Sequence, residues 1–90
     1  MPEQAKVIVG RFTFDPSTQM IEGPGEYMAD QGSALMDKIT SGNDAVFNMT
    51  AHMSPSPIVA VLVRMQTDYA GWIGSRQLIN MVFGKKGGAA

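Results

Sequence analysis

The chain has 90 residues with no cysteine, a single histidine and a formal net charge of −1. This length allows one domain, and the absence of cysteine excludes disulfides and thiolate metal sites. One histidine argues against a histidine-based metal site, and a near-neutral balance argues against nucleic-acid binding, which needs a clustered basic surface. Only 17% of the residues are charged while 44% are hydrophobic, which favours burial of part of the surface in an oligomer or a larger assembly.

The apolar runs are too short to span a bilayer, since the longest covers residues 57–63 and a spanning helix needs about 20 apolar residues. The first four residues lack the basic and apolar regions of a signal peptide. We therefore expect a cytoplasmic protein with one domain at residues 1–84 and a flexible tail at residues 85–90.

The first two predicted elements are a strand and a helix. Residues 6–14 are rich in β-branched and aromatic side chains that alternate as in a strand, and Gly10 marks a bend, a bulge or a close approach by another backbone. Residues 15–18 (DPST) form a turn. Residues 26–40 carry apolar side chains at helical spacing, and Gly42 suits the position just after the helix end.

The next stretch predicts two strands. Residues 45–53 alternate, with Phe47, Met49, Ala51 and Met53 on one apolar face. Residues 54–57 (SPSP) form a hairpin connection. Residues 58–65 are apolar on both faces, as in a central or covered strand.

The last element admits two interpretations. Thr67 and Asp68 offer a helix N-cap before an apolar-periodic segment, but Gly71 and Gly74 disfavour a helix interior. The alternative is a turn followed by a short helix or a strand at residues 77–83. The order is therefore β-α-β-β-α, or a four-stranded, ferredoxin-like order if the last segment is a strand. Both predict an α+β two-layer sandwich, with a three-stranded sheet in the first case and two helices on one face.

Candidate site residues fall into two groups, interface and ligand. The interface candidates are aromatic or apolar side chains, which typically anchor protein contacts: Tyr69, Trp72, Phe83, Met49, Met53 and Val61. The ligand candidates are His52, which could act as a general base beside Asp44 or Asp68, and Arg64. The acidic residues between 15 and 30 do not have the spacing of an EF-hand loop, so we expect no metal and no cofactor.

These observations favour a non-enzymatic structural or assembly subunit that associates with itself or with a larger complex, such as a virion or accessory component. The alternative is a small cofactor-free dimeric enzyme or ligand-binding domain with a pocket between sheet and helices. A third hypothesis is nucleic-acid binding through Arg76, Lys85, Lys86 and the Gly-x-x-Gly sequence at residues 71–74.

Overall fold

The computed structural model describes residues 5–84, with side chains described as far as residue 82. The predicted tail at residues 85–90 lies outside this range. Three strands precede three helices, and their bounds are as follows: β1 is Val7–Val9, β2 is Phe12–Asp15, β3 is Met20–Glu22, α1 covers residues 25–40, α2 is Ala45–Thr50 with a 3₁₀ turn at Ala51–Met53, and α3 is Pro57–Ile79 with a π-helical turn at Asn80–Gly84. The predicted α+β class with a three-stranded sheet is confirmed, but the predicted order β-α-β-β-α is wrong.

The sheet is an antiparallel meander in the order β1-β2-β3. The single strand predicted at residues 6–14 is instead a hairpin, because Val9 pairs with Phe12 across a two-residue loop. Gly10 has φ +59° while Arg11 does not have a positive φ, which is the pattern of a type II′ turn. The loop also rests on α3, since the Arg11 backbone N–H donates to Gln66 Oε1 at 2.9 Å.

The second hairpin joins β2 to β3 and holds the predicted turn. Ser17 donates from its backbone N–H and its hydroxyl to Asp15 Oδ1 at 2.9 and 2.7 Å, and these bonds hold the pKa of Asp15 below its usual value. Strand β3 follows this turn and precedes α1. The three strands thereby place their inner side chains, among them Phe12, Phe14 and Ile21, on the helices.

Helix α1 confirms the prediction for residues 26–40. It begins with an α-helical turn at Gly25–Tyr27, continues as a π-helix at Met28–Gly32 and ends as an α-helix at Ser33–Thr40. Gly42 has φ +81°, and its N–H donates to the carbonyl of Ile39 while that of Asn43 donates to Lys38. This pair of bonds is the Schellman motif.

The two strands predicted at residues 45–53 and 58–65 are wrong, because both segments are helical. Asp44 caps α2 by accepting from the Phe47 N–H. Ser56 caps α3 in the same way, and Pro57 follows at the first helical position, where its missing N–H removes no helical bond. The predicted SPSP hairpin is therefore the start of a helix. The question of helix or strand at residues 77–83 is resolved in favour of helix.

Helix α3 is the element against which the others pack. Its first five turns supply Ala60, Leu62, Met65 and Trp72 to the buried side of the molecule. Gly71 and Gly74 lie within the helix without interrupting it. Beyond Trp72 and the half-buried Ile73, every residue from 74 to 82 is exposed, so α3 extends past the core.

Candidate functional site

A polar network crosses the contact between α1 and α3. The Tyr27 hydroxyl donates to Asp68 Oδ2 at 2.5 Å, and Gln31 Nε2 donates to the same oxygen at 2.7 Å. Burial of Tyr27, followed by the hydrogen bond to Asp68, raises the pKa of the phenol well above its usual range. The network therefore holds a neutral phenol against a carboxylate and fixes the two helices side by side.

Arg64, one of the two ligand candidates, binds Asp44. Its Nε lies 2.7 Å from Asp44 Oδ2 and its Nη2 lies 3.1 Å from Oδ1, a bidentate geometry. The guanidinium holds the pKa of Asp44 below its usual value, and the carboxylate raises that of Arg64. The side chain of Asp44 is only 5% exposed and that of Arg64 only 14% exposed. This largely buried pair joins the start of α2 to α3.

Four aromatic rings pack together beside this network, those of Phe12, Tyr27, Tyr69 and Trp72. Tyr27 meets Phe12, Tyr69 and Trp72 edge to face at centroid distances of 5.4–5.7 Å. Trp72 Nε1 donates to Asp30 Oδ2 at 2.7 Å, and the Arg76 guanidinium lies 4.6 Å from its ring centroid. The indole is therefore fixed by contacts within the chain.

An open groove of about 460 Å³ runs beside α3 on the solvent side of these contacts. Its lining combines α1, α2 and α3: Gln31, Val46, Arg64, Thr67, Asp68, Gly71, Trp72 and Ser75. Its charged groups are engaged, Arg64 with Asp44 and Asp68 with Tyr27 and Gln31. Along α3 the groove is open to solvent, and it is bordered by small side chains and by the exposed Val46.

The groove continues into an exposed apolar surface on the same side of α3. Gly71, Ser75, Leu78 and Val82 follow one another at spacings of three or four residues, which places them on one face of a helix. Leu78 is 59% exposed and Val82 is 51% exposed. Together with Gly74 and Met81, which border it, this set is called the α3 face below.

The predicted interface residues are distributed between core and surface. Trp72 is buried, and Tyr69 and Val61 pack against the core, so each is occupied within the chain. Met49 and Met53 are 70% and 74% exposed on α2 and its 3₁₀ turn. The side chain of Phe83 lies outside the described part of the chain.

The predicted ligand residues are not assembled into a catalytic group. His52 is exposed in the 3₁₀ turn that follows α2. Asp44 and Asp68, proposed to orient it, bind Arg64 and Tyr27 instead. The pocket expected between sheet and helices is filled by aromatic side chains.

The other predicted motifs have structural roles. Residues 71–74, considered as a nucleic-acid clamp, form continuous helix rather than a loop. Arg76 pairs with Glu26 at 3.0 Å, and Lys85 and Lys86 lie outside the described residues.

Between residues 5 and 84, no group of three His, Asp or Glu side chains is placed to hold a metal ion. Each helix in that range is too short or too polar to cross a lipid bilayer.

Sequence reasoning missed the α3 face. In the sequence, Leu78 and Val82 belong to a broad apolar-periodic segment, and such periodicity does not by itself separate a core face from an exposed one. The available signal was the spacing of Leu78 and Val82 from Gly71 and Ser75, which puts two small and two large residues on one face of a helix.

Comparison with protein-family models, with curated proteins and with solved structures finds no match to this chain. No relative therefore supplies a function for it.

Proposed function

We propose that this protein is a non-enzymatic structural or assembly subunit that binds another protein molecule through the α3 face. The observation that carries the proposal is the exposure of Leu78, Ile79, Met81 and Val82 on a helix that extends past the core. Contiguous apolar side chains of this kind, next to a groove, are typical of protein interaction sites. The pairing of the charged groups in the groove supports binding rather than catalysis.

The apolar end of α3 also fits a known mode of recognition. A helix can place apolar side chains at i, i+3, i+4 and i+7 into a groove of its partner. Ser75, Leu78, Ile79 and Val82 have this spacing, with apolar side chains at the last three positions. The low charge content of the chain is consistent with a surface that is covered in its working state.

The proposal is tested by placing charges on the α3 face. We expect the Leu78→Glu and Val82→Glu double variant to lose association, because two carboxylates in an apolar contact would have to be desolvated. Light scattering and sedimentation over about 1–300 µM give the mass, and pull-down followed by mass spectrometry identifies any co-purifying partner. The Gln77→Glu variant is the control, because Gln77 is exposed elsewhere on the same helix.

Two results would contradict the proposal. One is a double variant that associates as strongly as the wild type, which would place the contact elsewhere. The other is a wild type that stays monomeric over the whole range and recovers no partner beyond those that the double variant recovers.

A further inference from the structure

The α3 face is divided into a small half and a large half. Gly71, Gly74 and Ser75 occupy the half nearer the core. Leu78, Met81 and Val82 occupy the half beyond it. A Cβ placed on Gly71 or Gly74 would meet no atom of the described chain within 4 Å, so the space over the small half is open.

The two halves are complementary under a two-fold rotation. If a second helix runs antiparallel with its centre between residues 76 and 77, Gly71 faces Val82 and Ser75 faces Leu78. Val82 and Leu78 then each lie over a small residue, in both halves of the contact at once. This is the property of an isologous interface, in which the same patch occurs on both subunits.

The groove extends this match beyond α3 itself. The partner's helix end, passing Gly71, would enter the groove bordered by Val46 and Gln31. Val46 is 49% exposed, so it has apolar surface to offer to Val82 of a second copy. The small residues permit the two helices to approach at the short end of the usual 8–10 Å interaxial range.

Charge does not oppose this arrangement. The six residues of the α3 face are all uncharged. Arg76, the single charged residue between Gly71 and Val82, turns towards Trp72 and Glu26 of its own chain. Two copies therefore meet without placing like charges in the centre of the contact, where such a pair would be repulsive.

We infer that the molecule bound by the α3 face is a second copy of this chain, in an antiparallel two-fold dimer that pairs Gly71 with Val82 and Ser75 with Leu78. This inference rests on the proposed function and specifies its partner. The contact covers about three helical turns per copy and is smaller than a standard protein interface, so we expect a weak dimer with a dissociation constant on the order of 1–100 µM.

Cysteine cross-linking tests the arrangement, since the native chain has no cysteine. Two single variants, Gly71→Cys and Val82→Cys, are oxidised separately and as an equimolar mixture. In the antiparallel dimer, two copies of position 71, or two of position 82, are roughly 16 Å apart along the helix axis at 1.5 Å per residue. A disulfide requires Cβ atoms about 3.5–4.5 Å apart.

We therefore expect a disulfide between position 71 of one copy and position 82 of the other in the mixture, and little in either variant alone. The mass in solution should approach twice the 9.7 kDa of the chain as the concentration rises. Gln77→Cys serves as the control for random collision, because it lies off the α3 face.

Three results would overturn the inference. Self-linking of both single variants without a mixed product would indicate parallel helices, and self-association through the α3 face would still stand. Equal linking of Gln77→Cys would indicate collision alone. A wild type that stays monomeric up to about 1 mM would exclude a second copy, and the proposed function would then depend on whether the charged double variant loses a different partner.

Discussion

Tyr27 is the residue at which the sheet, α1 and α3 meet. It is fully buried, its ring contacts three other aromatic rings, and its hydroxyl donates to Asp68. Aromatic pairs of this geometry contribute about 0.5–1.5 kcal/mol each beyond their burial. A single side chain thus links most of the core.

The raised pKa of Tyr27 predicts a loss of stability in alkali. Unfolding returns the phenol to its ordinary pKa of 10.0, so above that pH the unfolded chain loses a proton that the folded chain keeps. Stability should therefore be constant from about pH 8 to 10 and fall above pH 10. Urea midpoints measured at intervals of half a pH unit test this. Tyr27→Phe should be less stable at pH 8 by about 1–2 kcal/mol and should lose this part of the decline, and an unchanged decline would contradict the assignment.

Gly32 has no room for a larger side chain, because two side chains of its own helix lie close to it. A Cβ at this position would lie 2.7 Å from the Tyr27 ring and 2.7 Å from Met28 Sδ. The atoms nearest to that position belong to side chains of α1 itself, in which residues 28–32 form a π-helical turn. We expect Gly32→Ala to lower the free energy of unfolding by about 1–3 kcal/mol, measured by urea denaturation. An increase in stability would show that the ring can move aside.

Gly71 and Gly74 should respond to the same substitution with the opposite sign. Both lie in a helix interior with open space at the Cβ position. Alanine is favoured over glycine there by about 0.8–1 kcal/mol, so Gly71→Ala and Gly74→Ala should each stabilise the fold. The measurement belongs at a concentration well below the expected dissociation constant, where the protein is monomeric. Destabilisation at that concentration would show that α3 is strained at these positions.

At the scale of elements, an ion pair joins α2 to α3 beside the packing of Phe47 against the core. Asp44 both caps α2 and binds Arg64. Breaking a buried pair by removing one partner typically costs about 3–5 kcal/mol. Asp44→Asn keeps an oxygen for the cap and removes the charge, so we expect a loss of about 3 kcal/mol at pH 7.

The pH dependence of this pair has a defined sign. Because the folded pKa of Asp44 lies below its ordinary value of 3.8, its contribution is complete above that pH and is lost as the pH falls through the folded value. The stability difference between wild type and Asp44→Asn, followed by urea midpoints from pH 7 to 2, should therefore shrink below about pH 4. Glu26→Gln is the control, since its pair with Arg76 is exposed and should contribute no more than about 1 kcal/mol. A difference that stays constant in acid would contradict this role of Asp44.

The elements differ in how well the sequence predicts them. Helix α1 is found because its periodicity, its acidic start and Gly42 all agree. Residues 45–53 are mispredicted because alternation over nine residues outweighs the N-cap at Asp44, although Met49 and Met53 turn out to be exposed and leave no apolar strand face. Residues 58–63 are apolar throughout, so periodicity does not separate strand from helix, and Ser56 followed by Pro57 was the deciding signal.

The candidate site was less predictable than the fold class. A pattern of Gly71, Ser75, Leu78 and Val82 identifies a helix face only once the helix is known to be continuous. Whether that face is core or surface depends on where the core ends, and this is set by the contacts of Trp72 with α1. Neither fact follows from local sequence.

At the scale of the whole molecule, the core and the exposed part of α3 are separate. The buried side chains end at Trp72, and residues 74–82 are exposed throughout. We therefore expect the Leu78→Glu and Val82→Glu double variant to keep the free energy of unfolding of the wild-type monomer within about 0.5 kcal/mol, measured by urea denaturation well below the expected dissociation constant. A large loss would show that this part of α3 supports the fold.

The separation of core and exposed helix has a consequence for variation among related chains. Apart from Arg76, which lies over the Trp72 ring, the exposed residues between 74 and 82 are not part of the buried core, so partner choice can change by single mutations while the fold is retained. Substitutions at Tyr27, Gly32 or Asp44 have no such freedom. In a set of homologous sequences, the core residues should therefore vary little, while residues 74–82 should vary together with the surface that they bind.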